Sequence, residues 1–292
     1  MFPWRRTPGR KQKGIYGPVL LTFLIAPAAV FYFVLFLYPI GALLKEGVWT
    51  GQGFTLRHFE RIWDEPLYFI ILMRTVRISF LVTLSCLILA YPVALWLTRL
   101  RGLAFSLAIA CILLPLWSSV LVRTYSWAVL LQRNGIINKT LIRLGITDEP
   151  LALLYNEGAV LVAMTHVLLP FMILPIYATM RGIPKDLGHA AQSLGASRLR
   201  EFLFVLLPLS LPGVAAGIVM VFVIALGYFI VPALLGGPRT LMISTLINQQ
   251  VTSVLNWSFG AALAAMLLAT AIVIIALFHK LLAASRRAPA GA

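Results

Sequence analysis

The chain has 292 residues, of which 61% are apolar and 11% charged, with a mean hydropathy of +0.94. A soluble domain is about half apolar and about a quarter charged, so this composition excludes an ordinary water-soluble fold. The formal charge of +15 requires a counter-charge, either nucleic acid or the surface of a membrane.

The placement of the charges decides between these two. Lys, Arg, Asp and Glu are missing from 14–44, 78–98, 102–122, 158–180, 202–238 and 240–278. A helix needs about 20 apolar residues to cross roughly 30 Å of hydrocarbon, and each window holds one. The runs are continuous, without the alternation of a membrane barrel. The prediction is an all-α integral membrane protein with transmembrane helices over 19–40, 75–98, 103–122, 159–180, 206–232 and 259–279. Six crossings put both termini on one side. With that side cytoplasmic, the inside segments carry 14 Lys and Arg in 60 residues, against 10 in 96 outside. That bias favours cytoplasmic termini and makes Arg5, Arg6, Arg10, Lys11 and Lys13 a topology anchor rather than a nucleic-acid site.

In chain order, residues 1–18 form a basic cytoplasmic tail. The apolar run 15–44 is too long for the core of a cleaved signal, so 19–40 reads as a retained first helix. Residues 41–74 form an external loop whose stretch GVWTGQGFTLRHFERIWDEP suggests order and a short interfacial helix. Residues 75–280 hold the other five spans. Within them, 132–158 carries turn signals at Asn134-Gly135 and Asp148-Glu149-Pro150, with a short amphipathic helix around NKTLIRLGI. Cys86 and Cys111 fall inside predicted spans and read as packing residues. Residues 281–292 form a second cytoplasmic tail.

A polar segment, 181–204, interrupts the apolar runs: RGIPKDLGHAAQSLGASRLREFLF. Pro184 can open a helix there and Gly195 can end it. Leu187, Ala190, Ala191 and Leu194, at i, i+3, i+4 and i+7, form a narrow apolar stripe on a helix too short to be stable alone in water. Such a stripe either packs on the protein's own bundle or seats another surface, since alanines allow close approach. Ser197 is placed to cap the next helix. Pro208 and Pro212 would bend that helix, and Gly213 and Gly217 form a GxxxG suited to close helix packing.

Ala190-Ala191, Gly195 and, after nine residues, Val205-x-Leu207-Pro208 resemble the EAA loop of binding-protein-dependent ABC importer permeases. The runs LPLWSSVLVRTYSWAVLLQRNGIINKTLIRLG (114–145), LLPFMILPIYATM (168–180) and ALGYFIVPALLGGP (225–238) resemble the spermidine/putrescine permease subgroup. The resemblance implies a type I importer permease (MetI-like) fold in a bacterial inner membrane, with 181–204 as a cytoplasmic coupling loop. It also implies a second related permease, two cytoplasmic ATPases and an external substrate-binding protein as partners. Leu187, His189, Ala190, Ala191, Leu194 and Gly195 would then form the ATPase-coupling surface. His189 stands where the family has Glu, so docking by shape carries over and the carboxylate contact does not. The chain lacks GxxxxGK[ST], so it is expected to be non-catalytic and to hold no cofactor, ATP and Mg belonging to the partner ATPase.

Polar and aromatic groups at membrane depth mark the expected substrate pathway: Trp117, Arg123, Tyr125, Trp127, His166 and Tyr228. Interfacial anchoring and helix–helix hydrogen bonding are the other roles open to them. No ligand-spaced set surrounds His166 or His189, so no metal is expected. The subgroup implies a polyamine as solute. No Asp or Glu lies in any predicted span, however, and Tyr228 stands where several polyamine permeases have an acid. Cation–π faces of Tyr228 or Trp117 could substitute. An amino-acid derivative, an opine or a phosphonate stays open. A self-sufficient secondary transporter would need intramembrane acids, and an intramembrane enzyme a nucleophile–base pair; the sequence offers neither.

Overall fold

A computed structural model describes residues 18–50 and 53–287. The basic cluster at 5–13 and the tail residues 288–292 lie outside the described residues. The first span is built from α1 (Pro18–Tyr32) and α2 (Tyr38–Glu46), joined by a π-helical turn at Phe33–Leu37. Pro39, just beyond that turn, has no N–H to give, and a widened turn absorbs the missing bond. The expected external loop holds a small hairpin, β1 (Trp49–Thr50) against β2 (Gly53–Phe54), and α3 (Arg57–Asp64). The second span then starts earlier than the apolar window suggests: α4 runs from Pro66 to Arg99, with proline in its first turn where an N–H is dispensable.

The expected third span, 103–122, is not one helix. Helix α5 (Gly102–Trp117) stops, Ser118 and Ser119 are extended, and α6 (Val120–Leu131) leaves at a steep angle, the broken pair being bent by 99°. Pro115 in the last turn of α5 weakens it, and the Ser118 hydroxyl donates to the Pro115 carbonyl at 2.8 Å, closing the helix end. The amphipathic stretch that follows is α7 (Ile136–Arg143). Its buried Asn138 fixes the loop, accepting from the Leu151 N–H at 2.9 Å and donating to the Gln132 and Leu151 carbonyls. Helix α8 (Glu157–Arg181) starts on Asn156, whose side chain accepts from the Ala159 N–H.

After α8 come α9 (Lys185–Ser193) and α10 (Arg198–Glu201), the latter continuing through a π turn at Phe202–Leu206 into α11 (Leu207–Gly227). Here too a proline, Pro208, follows the widened turn. The fifth span is therefore one continuous helical rod from Arg198 to Gly227, ending short of the expected 232. Helices α12 (Ile230–Leu235), α13 (Ile243–Thr252) and α14 (Trp257–Arg287) complete the chain. Among the described residues, five helical stretches are long and apolar enough to cross a membrane, or six with α5 and its bent continuation taken as one span.

The core is the three-helix packing of α4, α8 and α11. Ile78, Val82, Cys86, Ala90, Ala94 and Leu97 line one face of α4 and are fully buried. Glycines carry the α8–α11 contact: a Cβ at Gly213 would strike Thr179 and the Pro175 carbonyl, and one at Gly217 would lie 2.6 Å from Met172 Sδ. The GxxxG thus packs inside this chain. Tyr91 and Ser210 share a 3.0 Å hydrogen bond that ties α4 to α11. A second cluster, including Tyr68, Ile71, Phe259 and Leu263, holds α14 to the start of α4. The first span has no buried residue in its apolar window and meets the rest of the chain where α2 lies against α14. Gly217→Leu is expected to force α11 off α8 and to cost about 1–3 kcal/mol, the usual penalty of overpacking. Size-exclusion survival after heating in detergent would show a lowered transition temperature, whereas an unchanged one would contradict the seam.

Candidate functional site

The expected coupling loop is a rigid knob between α8 and α11. Pro184 sits at the N-cap position of α9, one place outside the helix. At the other end Gly195 adopts φ +85°, the left-handed conformation that costs a side-chain-bearing residue roughly 1–2 kcal/mol. Its N–H bonds the Gln192 carbonyl at 2.9 Å and the Ala196 N–H bonds the Ala191 carbonyl at 3.0 Å, a Schellman closure. Ser197 then accepts from the Arg200 N–H at 3.4 Å and starts α10. Gly195 is therefore a fixed corner that re-aims the chain.

The apolar stripe does not pack on the bundle. Leu194 is 90% exposed and Leu187 44%, while His189 and Ala190 are exposed and Ala191 is half-buried. A bilayer-facing or partner-facing role remains for a stripe left uncovered by its own chain. The opposite face of α9 is held by residues that sequence reasoning missed. Gln192 Nε2 donates to Glu201 Oε2 at 2.6 Å, and Glu201 lies against Gly188, where a Cβ would collide with it. The only local signal was an acid standing at the head of an apolar run.

The expected pathway residues divide. Trp127 Nε1 donates to His166 Nδ1 at 3.3 Å, with the rings edge-on at 5.7 Å. Arg123 interacts electrostatically with both His166 and Tyr228. Buried Nε and Nη1 of Arg123, and the buried Tyr228 hydroxyl, have no hydrogen-bond partner among the described residues. The Tyr228 carbonyl accepts from Ser244 at 2.8 Å, which fixes the backbone where α11 ends. These four residues draw together α6, α8 and the end of α11. Trp117 and Tyr125 do not join them: Trp117 is 90% exposed at the α5–α6 break, and Tyr125 lies on the outer face of α6. The sequence placed Trp117 inside the third span and Tyr125 just after it; the α5–α6 break separates Trp117 from the other pathway residues.

The sequence matches one known family. The description "binding-protein-dependent transport system inner membrane component" fits residues 6–288. The chain belongs to this family. It is a multi-pass inner-membrane permease subunit of an ABC importer, and such subunits are non-catalytic. It is 36% identical over 209 residues to the spermidine/putrescine transport system permease protein PotB of Escherichia coli, covering 72% of this chain and 76% of that one. The PotB protein of Haemophilus influenzae is 32% identical over 265 residues, covering 88% and 92%. A bacterial ABC transporter involved in the import of the acidic polysaccharide alginate superposes with a TM-score of 0.71 over 93% of this permease and 96% of that chain. At 18% identity, that likeness concerns the fold.

Gly188→Leu in this permease is expected to displace Glu201 and free α9 from α10. Amide exchange over 185–193 should then quicken severalfold, and exchange as slow as in the parent chain would show that the Gln192–Glu201 tie does not hold the knob.

Proposed function

We propose that this permease forms half of the translocation pathway of an ATP-driven importer, carrying a polyamine such as spermidine or putrescine delivered by an external binding protein. A second, related permease forms the other half. Two cytoplasmic ATPases bind ATP and Mg and supply the work; this chain holds neither. Both termini and the α9 knob face the cytoplasm, in keeping with the excess of Lys and Arg in the segments on that side.

The observation that carries this reading is the exposed, capped knob. A helix of nine residues is not stable by propensity, yet α9 is braced at both ends and along one face while Leu187, Ala190 and Leu194 face outward. That arrangement suits a surface pushed by another protein: a load applied to α9 passes through Gly195 and the Glu201 tie into the rod Arg198–Gly227. The far end of that rod is Tyr228, beside Arg123 and His166. Motion of the ATPase thereby reaches the pathway through one continuous helix.

The solute follows from the relatives, both of which are named for spermidine and putrescine. A second reading rests on Arg123, whose buried Nε and Nη1, without hydrogen-bond partners among the described residues, favour a solute bearing a carboxylate or phosphonate beside its amines. Uptake in cells expressing the full importer separates the two. Labelled spermidine is expected to accumulate and to be competed by putrescine, whereas competition only by amino-acid derivatives would select the second reading. Ala190→Trp, which places a bulky ring on the docking face, is expected to abolish uptake and to strip the ATPase from the purified complex. Uptake at the parental rate would refute docking through α9.

A further inference from the structure

At the α9 end of the bundle, the turn from α4 to α5 and the last turn of α8 open a cavity of about 730 Å3. Arg99 and Arg101 line it from the turn and Arg181 from α8. Among the described residues, the strongly basic lining consists of these three arginines. Arg181 is held in place, its Nη1 donating to the Tyr177 hydroxyl at 3.2 Å and its guanidinium lying 5.9 Å from the Phe105 ring centroid. Arg99 and Arg101 are exposed and, among the described residues, take part in no ion pair. The carboxylate of the cavity, Glu201, is already engaged by Gln192.

Three arginines therefore line one cleft together with one carboxylate, Glu201. Gathering like charges at short range is unfavourable unless an anion neutralises them. Topology alone would be served by lysines or by arginines spread along the surface. Guanidinium forks lining one cleft instead suit the oxygens of a phosphate, which they can bind in bidentate fashion. The cleft also sits where the spans end, and its walls include Leu95, Phe105 and Ile183 beside the arginines. A charged mouth next to apolar wall at that depth is the form of site that takes lipid head groups between transmembrane helices.

We propose that this cleft binds a phosphate group, supplied by an anionic phospholipid of the adjoining leaflet, through Arg99, Arg101 and Arg181. The bound phosphate offsets part of the charge of the three arginines and lies between the α4–α5 turn and the base of the α9 knob. The lipid becomes a structural wedge next to the coupling element. The site is independent of which solute is carried.

The test uses the full chain extracted from bilayers containing equal amounts of phosphatidylglycerol and phosphatidylcholine, with retained lipid measured by native mass spectrometry. Phosphatidylglycerol is expected to be enriched on the parent chain. The double substitution Arg99→Gln and Arg101→Gln is expected to lower that enrichment about tenfold, the loss of one or two charge-assisted hydrogen bonds. Arg99→Lys with Arg101→Lys keeps the charge that sets membrane topology and is expected to retain part of the enrichment, so a topological change is distinguishable from loss of the site. Retained phosphatidylglycerol is expected to persist when inorganic phosphate is added at equal concentration, and its displacement under that condition would overturn the assignment to the phospholipid. Equal retention of both lipids by the parent chain, or unchanged enrichment after the glutamine substitutions, would overturn the site.

Discussion

The seam between α8 and α11 is the constraint on which the remainder of this permease depends. Inside a bilayer, apolar side chains gain little by leaving lipid for one another, so helices associate through close packing and hydrogen bonds. Gly213 and Gly217 remove the side chains that would hold α11 away, and it settles against Pro175, Met172 and Thr179. Tyr91 and Ser210 then draw α4 into the same unit. Because the chain between α8 and α11 is short, fixing the two helices also fixes what joins them. The knob at one end and the Arg123–His166–Tyr228 cluster toward the other are both consequences of that contact.

The knob is stiff for local reasons. A left-handed glycine, a serine cap and a carboxylate folded back across Gly188 leave α9 no freedom to roll on its own. An element meant to transmit force cannot be a floppy loop, since displacement would be lost in its own rearrangement. The two π turns, at Phe33–Leu37 and Phe202–Leu206, show a different use of irregularity. Each precedes a proline in a membrane span and lets the helix continue where a proline would otherwise break it. In the fifth span this preserves a continuous rod from the knob to Tyr228.

Much of this was legible in the sequence because lipid imposes severe rules on composition. Charge-free windows located the spans, and the spacing from Ala190 to Pro208 located the knob, its terminal glycine and its serine cap. The third span was misread because hydropathy does not register direction: Pro115, Ser118 and Ser119 are compatible with an apolar window and still end α5. The same break leaves Trp117 and Tyr125 exposed and apart from the Trp127–His166 pair. Glu201 was invisible for another reason. Its partners Gln192 and Gly188 lie on a different helix, and only the corner at Gly195 brings them together. The meeting of Arg123, His166 and Tyr228 is likewise a property of three converging helices and of no single stretch.

The central claim is that α9 is a surface presented to a cytoplasmic motor. Leu194, at the tip of the knob, is the most direct reporter. With Leu194→Cys in a Cys111→Ser background, a membrane-impermeant maleimide should label inside-out vesicles and leave intact cells unlabelled, and an added ATPase subunit should protect the site. Labelling of intact cells from the external side would contradict the account.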